Sequence, residues 1–215
     1  MILVFGAGGV ALEIAWLLDE MNPRDGSERV AAFVVSDSDW RPGEVIDGIP
    51  VTAEGQLQDL CGKQLVDVYI GIGDSAAKRR ALTAAEKLPN RRYPPLIHPS
   101  VVMDRRPGKV TFGHGAIVYP GASLSTEVAI GNFVHINPRV AIAHHSRVGD
   151  FSTVCPGGII SGRVSLGSDC FVGAGAVVKD SLSIIDGCTI GAGATVIRSI
   201  LAPGVYIGTP ARPKT

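Results

Sequence analysis

Aromatic residues make up only 6% of this 215-residue chain. A core with few rings must be filled by small and branched aliphatic side chains, and their scarcity beside 27 glycines directs the search to internal repeats. Net charge is missing too, because 20 Lys and Arg balance 20 Asp and Glu. No field is left to hold a polyanion, which excludes bulk nucleic-acid binding. Long hydrophobic runs are absent, and none approaches the roughly 18–20 residues of a membrane span. The opening residues Met1 to Phe5 have no basic leader, so no signal peptide is expected. The four cysteines (Cys61, Cys155, Cys170 and Cys188) show no CxxC spacing and read as reduced thiols of a cytoplasmic protein. With 46% hydrophobic residues the chain is too apolar for disorder, and its length fits one large domain or two small ones.

What is present is a strict period of six. Phe112, Val118, Leu124, Ile130, Ile136, Ile142, Val148, Val154, Ile160, Leu166, Val172, Val178, Ile184, Ile190 and Val196 follow one another without a break. Neither a strand period of two nor a helical period of 3.6 produces this series. Six residues fit a short strand and a turn, three of which close an 18-residue triangular coil, and such hexads are the signature of a parallel β-helix. The aliphatic residues then form three stacked columns inside a narrow prism. Cys170 and Cys188, 18 residues apart, stack in the same interior as small apolar filler.

The first hundred residues read differently. Strands are expected at residues 2–5, 30–35 and 66–72, with helices after the first and third. That alternation indicates a parallel sheet, but only half the size of a dinucleotide-binding domain. Gly6-Ala7-Gly8-Gly9-Val10-Ala11 matches G-x-G-x-x-G/A, a loop whose small residues let backbone N–H groups approach a phosphate at a helix N-terminus. It fits a mononucleotide diphosphate better than a dinucleotide, and a tight turn without a ligand also satisfies the pattern. Asp37, just past the second strand, is placed to accept from a base or ribose. The expected division is residues 1–100 for this α/β domain and 101–215 for the β-helix.

Within the repeats, Asn137, His144 and His145 form a polar group, with His135 nearby. A neutral imidazole can take a proton from an attacking amine or hydroxyl. The 18-residue register stacks Thr126, His144 and Gly162, so the side chain of His144 meets a notch. It also stacks Lys109, Glu127, His145 and Arg163, placing Glu127 to hydrogen-bond an imidazole in the next coil. Histidines from neighbouring chains can hold zinc in β-helix trimers, but no pairing specific to a metal is visible, and no metal is expected.

Gly6-Ala7-Gly8-Gly9, a strand ending in Ser36-Asp37, IGIGDSAAKRR, LIHPS, IN-x5-AHHSRVGDF and VYIGTPARP together resemble the sugar O- and N-acetyltransferases of bacterial surface-glycan pathways. That family includes bacillosamine and perosamine N-acetyltransferases and sialic-acid O-acetyltransferase relatives. The resemblance spans essentially the whole chain. It implies an α/β half-Rossmann domain followed by a left-handed parallel β-helix, in a homotrimer with active sites at subunit interfaces. It further implies acetyl-CoA as co-substrate and a nucleotide-linked amino sugar as acceptor. By resemblance, His144 is the catalytic base and Asn137 an active-site amide. Gly162, Gly173, Ala174 and Ala192 lie on coenzyme-facing turns. Gly6, Gly8, Gly9, Val10, Asp37 and Lys78 lie at the nucleotide site, with the base near Ser36 and Asp37.

Several positions depart from the family pattern. Ala143 and His145 stand where acids usually flank the histidine, Thr153 where a further histidine often follows, Val10 where the glycine loop ends in histidine, and Lys78 where an arginine is expected. The expected function is N-acetylation of a UDP-, GDP- or dTDP-linked 4-amino-deoxy sugar. O-acetylation of sialic acid or polysaccharide hydroxyls, or a catalytically weak sugar-nucleotide scaffold, is the alternative.

Overall fold

A computed structural model describes residues 1–21 and 29–214. The chain divides into two compact units, Met1–Pro94 and Pro95–Thr215. The division falls slightly before the boundary read from the sequence, because Leu96 and Ile97 already pair in parallel with Ile117 and Val118 of the β-helix.

The first unit is built on β1 (Ile2–Phe5), all four of whose residues are buried. The helix α1 (Gly9–Met21) turns Ala11, Ile14, Leu17 and Leu18 inward. Their spacing forms one helical stripe, and each large apolar side chain so buried stabilises the unit by roughly 1.5–3 kcal/mol. The chain continues through β2 (Val30–Val35), β3 (Val45–Ile46), β4 (Ile49–Ala53), α2 (Leu57–Cys61), β5 (Val66–Ile70), α3 (Ser75–Ala85) and β6 (Arg91–Arg92). Among the described residues the strands form one sheet in the order β3-β4-β2-β1-β5-β6. Only β3 and β4 pair antiparallel, joined by Asp47-Gly48 with φ of 50° and 77°. An Asp-Gly pair with both φ positive is a favoured two-residue hairpin turn. From β1 the chain winds to β2 on one side and later to β5 on the other. The crevice at the carboxyl end of β1 is therefore a topological switch point, where open α/β sheets bind ligands.

In the second unit strand pairing advances by 18 residues per coil: Ile117 faces His135, His135 faces Thr153, Thr153 faces Phe171 and Phe171 faces Thr189. Among the described residues this gives three stacked sheets, one per face of the prism. The three columns read from the hexads fill the interior, with Val118, Ile136, Val154, Val172 and Ile190 wholly enclosed. Every sixth residue from 115 to 193 has a positive φ, whether glycine or not; Glu127, Phe133, Arg139, His145, Phe151, Arg163, Asp169 and Ser181 are the non-glycine examples. Left-handed backbone at these corners bends the chain from one face to the next, a strain that glycine alone adopts freely.

The glycines directly after the hexad residues serve another purpose. A Cβ on Gly131 would stand 2.4 Å from Asp150 Oδ1, and one on Gly149 would stand 2.5 Å from the backbone of Gly167. Asp150 uses that approach to accept from the Asn132 N–H at 2.7 Å; Asn132 does the same for His114, and Asp186 for Ser168. Buried Ser146 and Ser152 donate to Ser161 O and Gly167 O, so their hydroxyls are satisfied inside the prism. At the C-terminal end residues Gly204–Ile207 add to the sheet beside Cys188–Ile190, and Arg212–Pro213 pairs antiparallel with them.

Candidate functional site

In the first unit the loops at the carboxyl ends of β1, β2 and β5 assemble the candidate nucleotide site. Gly6 leaves β1 with φ of 107° and donates to Val34 O at 2.7 Å; a Cβ there would meet Gly71 O at 2.7 Å. Gly8 and Gly9 are exposed at the start of α1, with nothing within 4 Å of a Cβ built on either. The first N–H groups of a helix lack intrahelical partners, which is where an anion is held in such loops. Val10, half-buried, has Cγ2 at 4.0 Å from a Cβ built on Gly73 after β5. The Gly71-to-Asp74 turn at the end of β5, within the IGIGDSAAKRR segment that carries the resemblance, borders this loop. There a strand is followed by Gly-x-Gly-Asp and a helix, with Asp74 Oδ1 capping α3 by accepting from Ala77 N–H at 2.8 Å.

The acidic side of the unit is more occupied than expected. Asp37 Oδ1 accepts from Gly55 N–H at 2.9 Å, leaving its other oxygen for a ligand. Ser36 is engaged within its own turn, donating from Oγ to Asp39 Oδ2 at 2.7 Å. A cavity of about 280 Å³ lies behind Asp37, lined also by Glu54, Gln58 and Lys87. Burial, with Asp37 second, pushes the Glu54 carboxyl above the usual carboxylate range. Lys78 differs from its expected role. Its side chain is wholly enclosed on α3 and presents no surface to a nucleotide, so it contributes to the interior of the unit.

In the second unit His144 is half-buried at a corner, and His145, with φ of 61°, occupies the left-handed position of that corner. The His144 ring lies over Gly162, where an added Cβ would stand 2.8 Å from both Cε1 and Nε2. The notch inferred from the register is therefore real, but the imidazole itself fills it. Gly162 and Gly173 are both buried in the chain, Gly173 against Ala192 of the next coil; Ala174 and Ala192 are the exposed turn residues of that set. Asn137 Nδ2 donates to Val154 O at 2.9 Å, which fixes the amide plane at its corner.

Two contacts rearrange the expected proton network. Glu127 does not bond an imidazole; it pairs with Lys109 of the preceding coil. The hydrogen bond and charge of Lys109 hold Glu127 below the usual carboxylate range, and His145 adds a smaller pull. The ammonium is the nearer and stronger donor. The partner of His144 is its neighbour, with Nδ1 of His144 3.1 Å from Nδ1 of His145 and the rings edge-on at 87°. Thr153, where the family often has a histidine, is buried in this structure.

No protein-family model and no curated protein sequence matches the chain, so its likeness to known proteins rests on solved structures. A perosamine N-acetyltransferase from Caulobacter crescentus, solved as a His-to-Asn variant with CoA and GDP-perosamine, is 27% identical with a TM-score of 0.88, over 100% of this chain and 96% of that one. The acetyltransferase domain of PglB from Neisseria gonorrhoeae, bound to acetyl coenzyme A, is 26% identical with a TM-score of 0.84, over 99% and 98%. WeeI from Acinetobacter baumannii is 28% identical with a TM-score of 0.84, over 100% and 99%. The fold is that of the hexapeptide-repeat sugar acetyltransferases. As in that acetyltransferase fold, the β-helix is left-handed and follows a Rossmann-like N-terminal part. Among the described residues no group of three His, Cys, Asp or Glu side chains is placed to hold a metal, and no helix is long and apolar enough to cross a membrane.

Proposed function

We propose that the protein transfers the acetyl group of acetyl-CoA to the amino group of a nucleotide-linked 4-amino-deoxy sugar, in the synthesis of a surface glycan. The observation that carries this reading is the likeness, over the full chain, to an acetyltransferase holding CoA and GDP-perosamine. The two halves of the chemistry have matching places in this protein. The open amides at Gly8 and Gly9 suit a diphosphate, and His144 suits a general base. The amine nitrogen attacks the thioester carbonyl carbon, a C–N bond forms as the C–S bond breaks, and the nitrogen gives its proton to Nε2 of His144. The coenzyme leaves as the thiolate. Both substrates react directly, so the protein supplies orientation and a proton acceptor.

Exposed Ala174 and Ala192 form a small-residue path for the coenzyme, and the nucleotide base lies beside Asp37. Three copies with active sites between neighbours complete the assembly, so light scattering should return three times the 22.4 kDa chain mass. Four free cysteines and the use of acetyl-CoA support a cytoplasmic setting.

A thiol-release assay with acetyl-CoA tests the reading, using 4-amino sugars linked to UDP, GDP or dTDP and, in parallel, sialic-acid and polysaccharide hydroxyl acceptors. Release with one amino-sugar nucleotide and none with the hydroxyl acceptors is expected. Release with hydroxyl acceptors alone overturns N-acetylation, and binding of sugar nucleotides without release overturns catalysis.

A further inference from the structure

Where an acid is expected beside the catalytic histidine, this chain has a second imidazole bonded to the first. We infer that His145 is a positioning residue for His144: it accepts the His144 Nδ1–H, keeps Nε2 as the bare nitrogen, and shares the proton that Nε2 collects. The inference rests on the proposed acetyl transfer and names what directs its base.

The geometry leaves few arrangements. The two Nδ1 atoms are 3.1 Å apart, so one proton lies between them and each ring has a donor or an acceptor role there. A free imidazole in water favours the proton on Nε2. His145 is exposed and keeps that preference, with its Nε2–H hydrated and its Nδ1 an acceptor. His144 must then donate from Nδ1, which leaves its own Nε2 without a proton. That nitrogen lies on the Gly162 side of the ring. A solitary His144 would favour the opposite tautomer, with Nε2 blocked.

When Nε2 takes the proton of the amine, the positive charge resides on the pair. The proton between the rings can pass to His145, whose exposed ring returns one to water. The charged groups around His145 suit this role. Glu127, in the preceding coil, attracts the charge although Lys109 shares it; Asp104 lies within electrostatic range of Glu127; Arg163, at the same corner of the next coil, carries like charge.

The corner tolerates substitutions that separate positioning from folding. Phe133, Phe151 and Asp169 occupy equivalent left-handed corners with φ of 54°, 61° and 56°. His145→Phe and His145→Asp are therefore both compatible with the backbone. In the intact ¹⁵N-histidine-labelled protein, NMR should show His144 protonated at Nδ1 and bare at Nε2 at alkaline pH. His145→Phe should move the proton to Nε2 and lower kcat by about 10- to 100-fold, within the range of a general-base contribution, with KM for both substrates unchanged. His145→Asp, whose carboxylate accepts the same Nδ1–H, should restore the tautomer and recover kcat to within about fivefold, with its acid limb shifted to higher pH because an anion favours the imidazolium. An unchanged His144 tautomer in His145→Phe overturns the inference, as does full activity of that variant. The NMR measurement needs no substrate. A parent protein that shows the tautomer switch but transfers no acetyl group therefore sinks the transferase reading and leaves the pairing intact.

Discussion

The imidazole of His144 lies against the backbone of Gly162, with Nε2 2.8 Å from the place a Cβ at 162 would take. Gly162→Ala should leave the coil folded, because a side chain can swing away, while displacing the ring from its seat. The expected result is a fall in kcat of about 10- to 100-fold, on the scale of losing an oriented base, with circular dichroism and Tm close to the parent. Unchanged kcat would show that the ring acts from elsewhere.

Removing the proposed base itself should be more severe. His144→Ala should lower turnover by about 10²-fold or more, while binding of coenzyme and sugar nucleotide, read by calorimetry, persists. Normal acetylation by this variant would end the assignment.

The columns and the 18-residue register were legible because a hexad is a local rule: one inward residue per strand, repeated until the prism is filled. Val118, Ile136 and Val154 could be placed without any structure. The strand and loop at residues 2–11 were legible for a similar reason, since glycine spacing and a buried strand constrain each other. Side-chain partners at the corners were not. Register stacked Glu127 under His145, but it also stacked Lys109 under Glu127, and sequence gives no rank between a carboxylate's two neighbours. An ammonium offers full charge and three donors, so the pair formed there. Lys78 was placed at the nucleotide site only because the resemblance expects an arginine there, and burial, which packing around α3 decides, encloses it instead.

Glu127 consequently belongs to stability more than to catalysis. Lys109 holds its folded pKa below that of the unfolded chain, so the pairing favours the folded state above about pH 4, where an unfolded glutamate is ionised, and the benefit fades as pH falls through the folded value. Lys109→Gln should therefore melt below the parent near neutral pH, and the gap should close below about pH 4 in Tm measurements. Glu127→Gln should alter kcat by less than about threefold, because an exposed pair contributes little to its surroundings.

Two glycines separate packing from ligand binding. Gly149→Ala forces a Cβ to within 2.5 Å of the next coil's backbone and should destabilise the β-helix by about 1–3 kcal/mol in denaturant unfolding. Gly8→Ala meets open space and should leave stability unchanged or raise it by up to about 1 kcal/mol. Its methyl group would instead stand in the path of a diphosphate. Calorimetric titration of the matching nucleoside diphosphate should show roughly tenfold weaker binding, a loss of about 1.4 kcal/mol.

The thiols offer an independent check on the interior. Burial pushes Cys170 up to about 11 and raises Cys61 and Cys188 as well, whereas Cys155 is only partly buried. A thiol reagent at pH 8 should label Cys155 first in the native protein and all four cysteines after unfolding. Rapid native labelling of Cys170 would contradict the stacked column.

The left-handed corners, recurring every sixth residue, make the second unit behave like a three-sided screw thread. Losing or gaining 18 residues advances the thread by one whole turn and returns every flat to its own line. Losing six keeps the thread but rotates everything downstream by one flat, moving Ala174 and Ala192 from their corner of the prism to the neighbouring one. Variation in length within this half of the molecule should thus come in whole turns, or as loops that leave and rejoin the thread at a single corner.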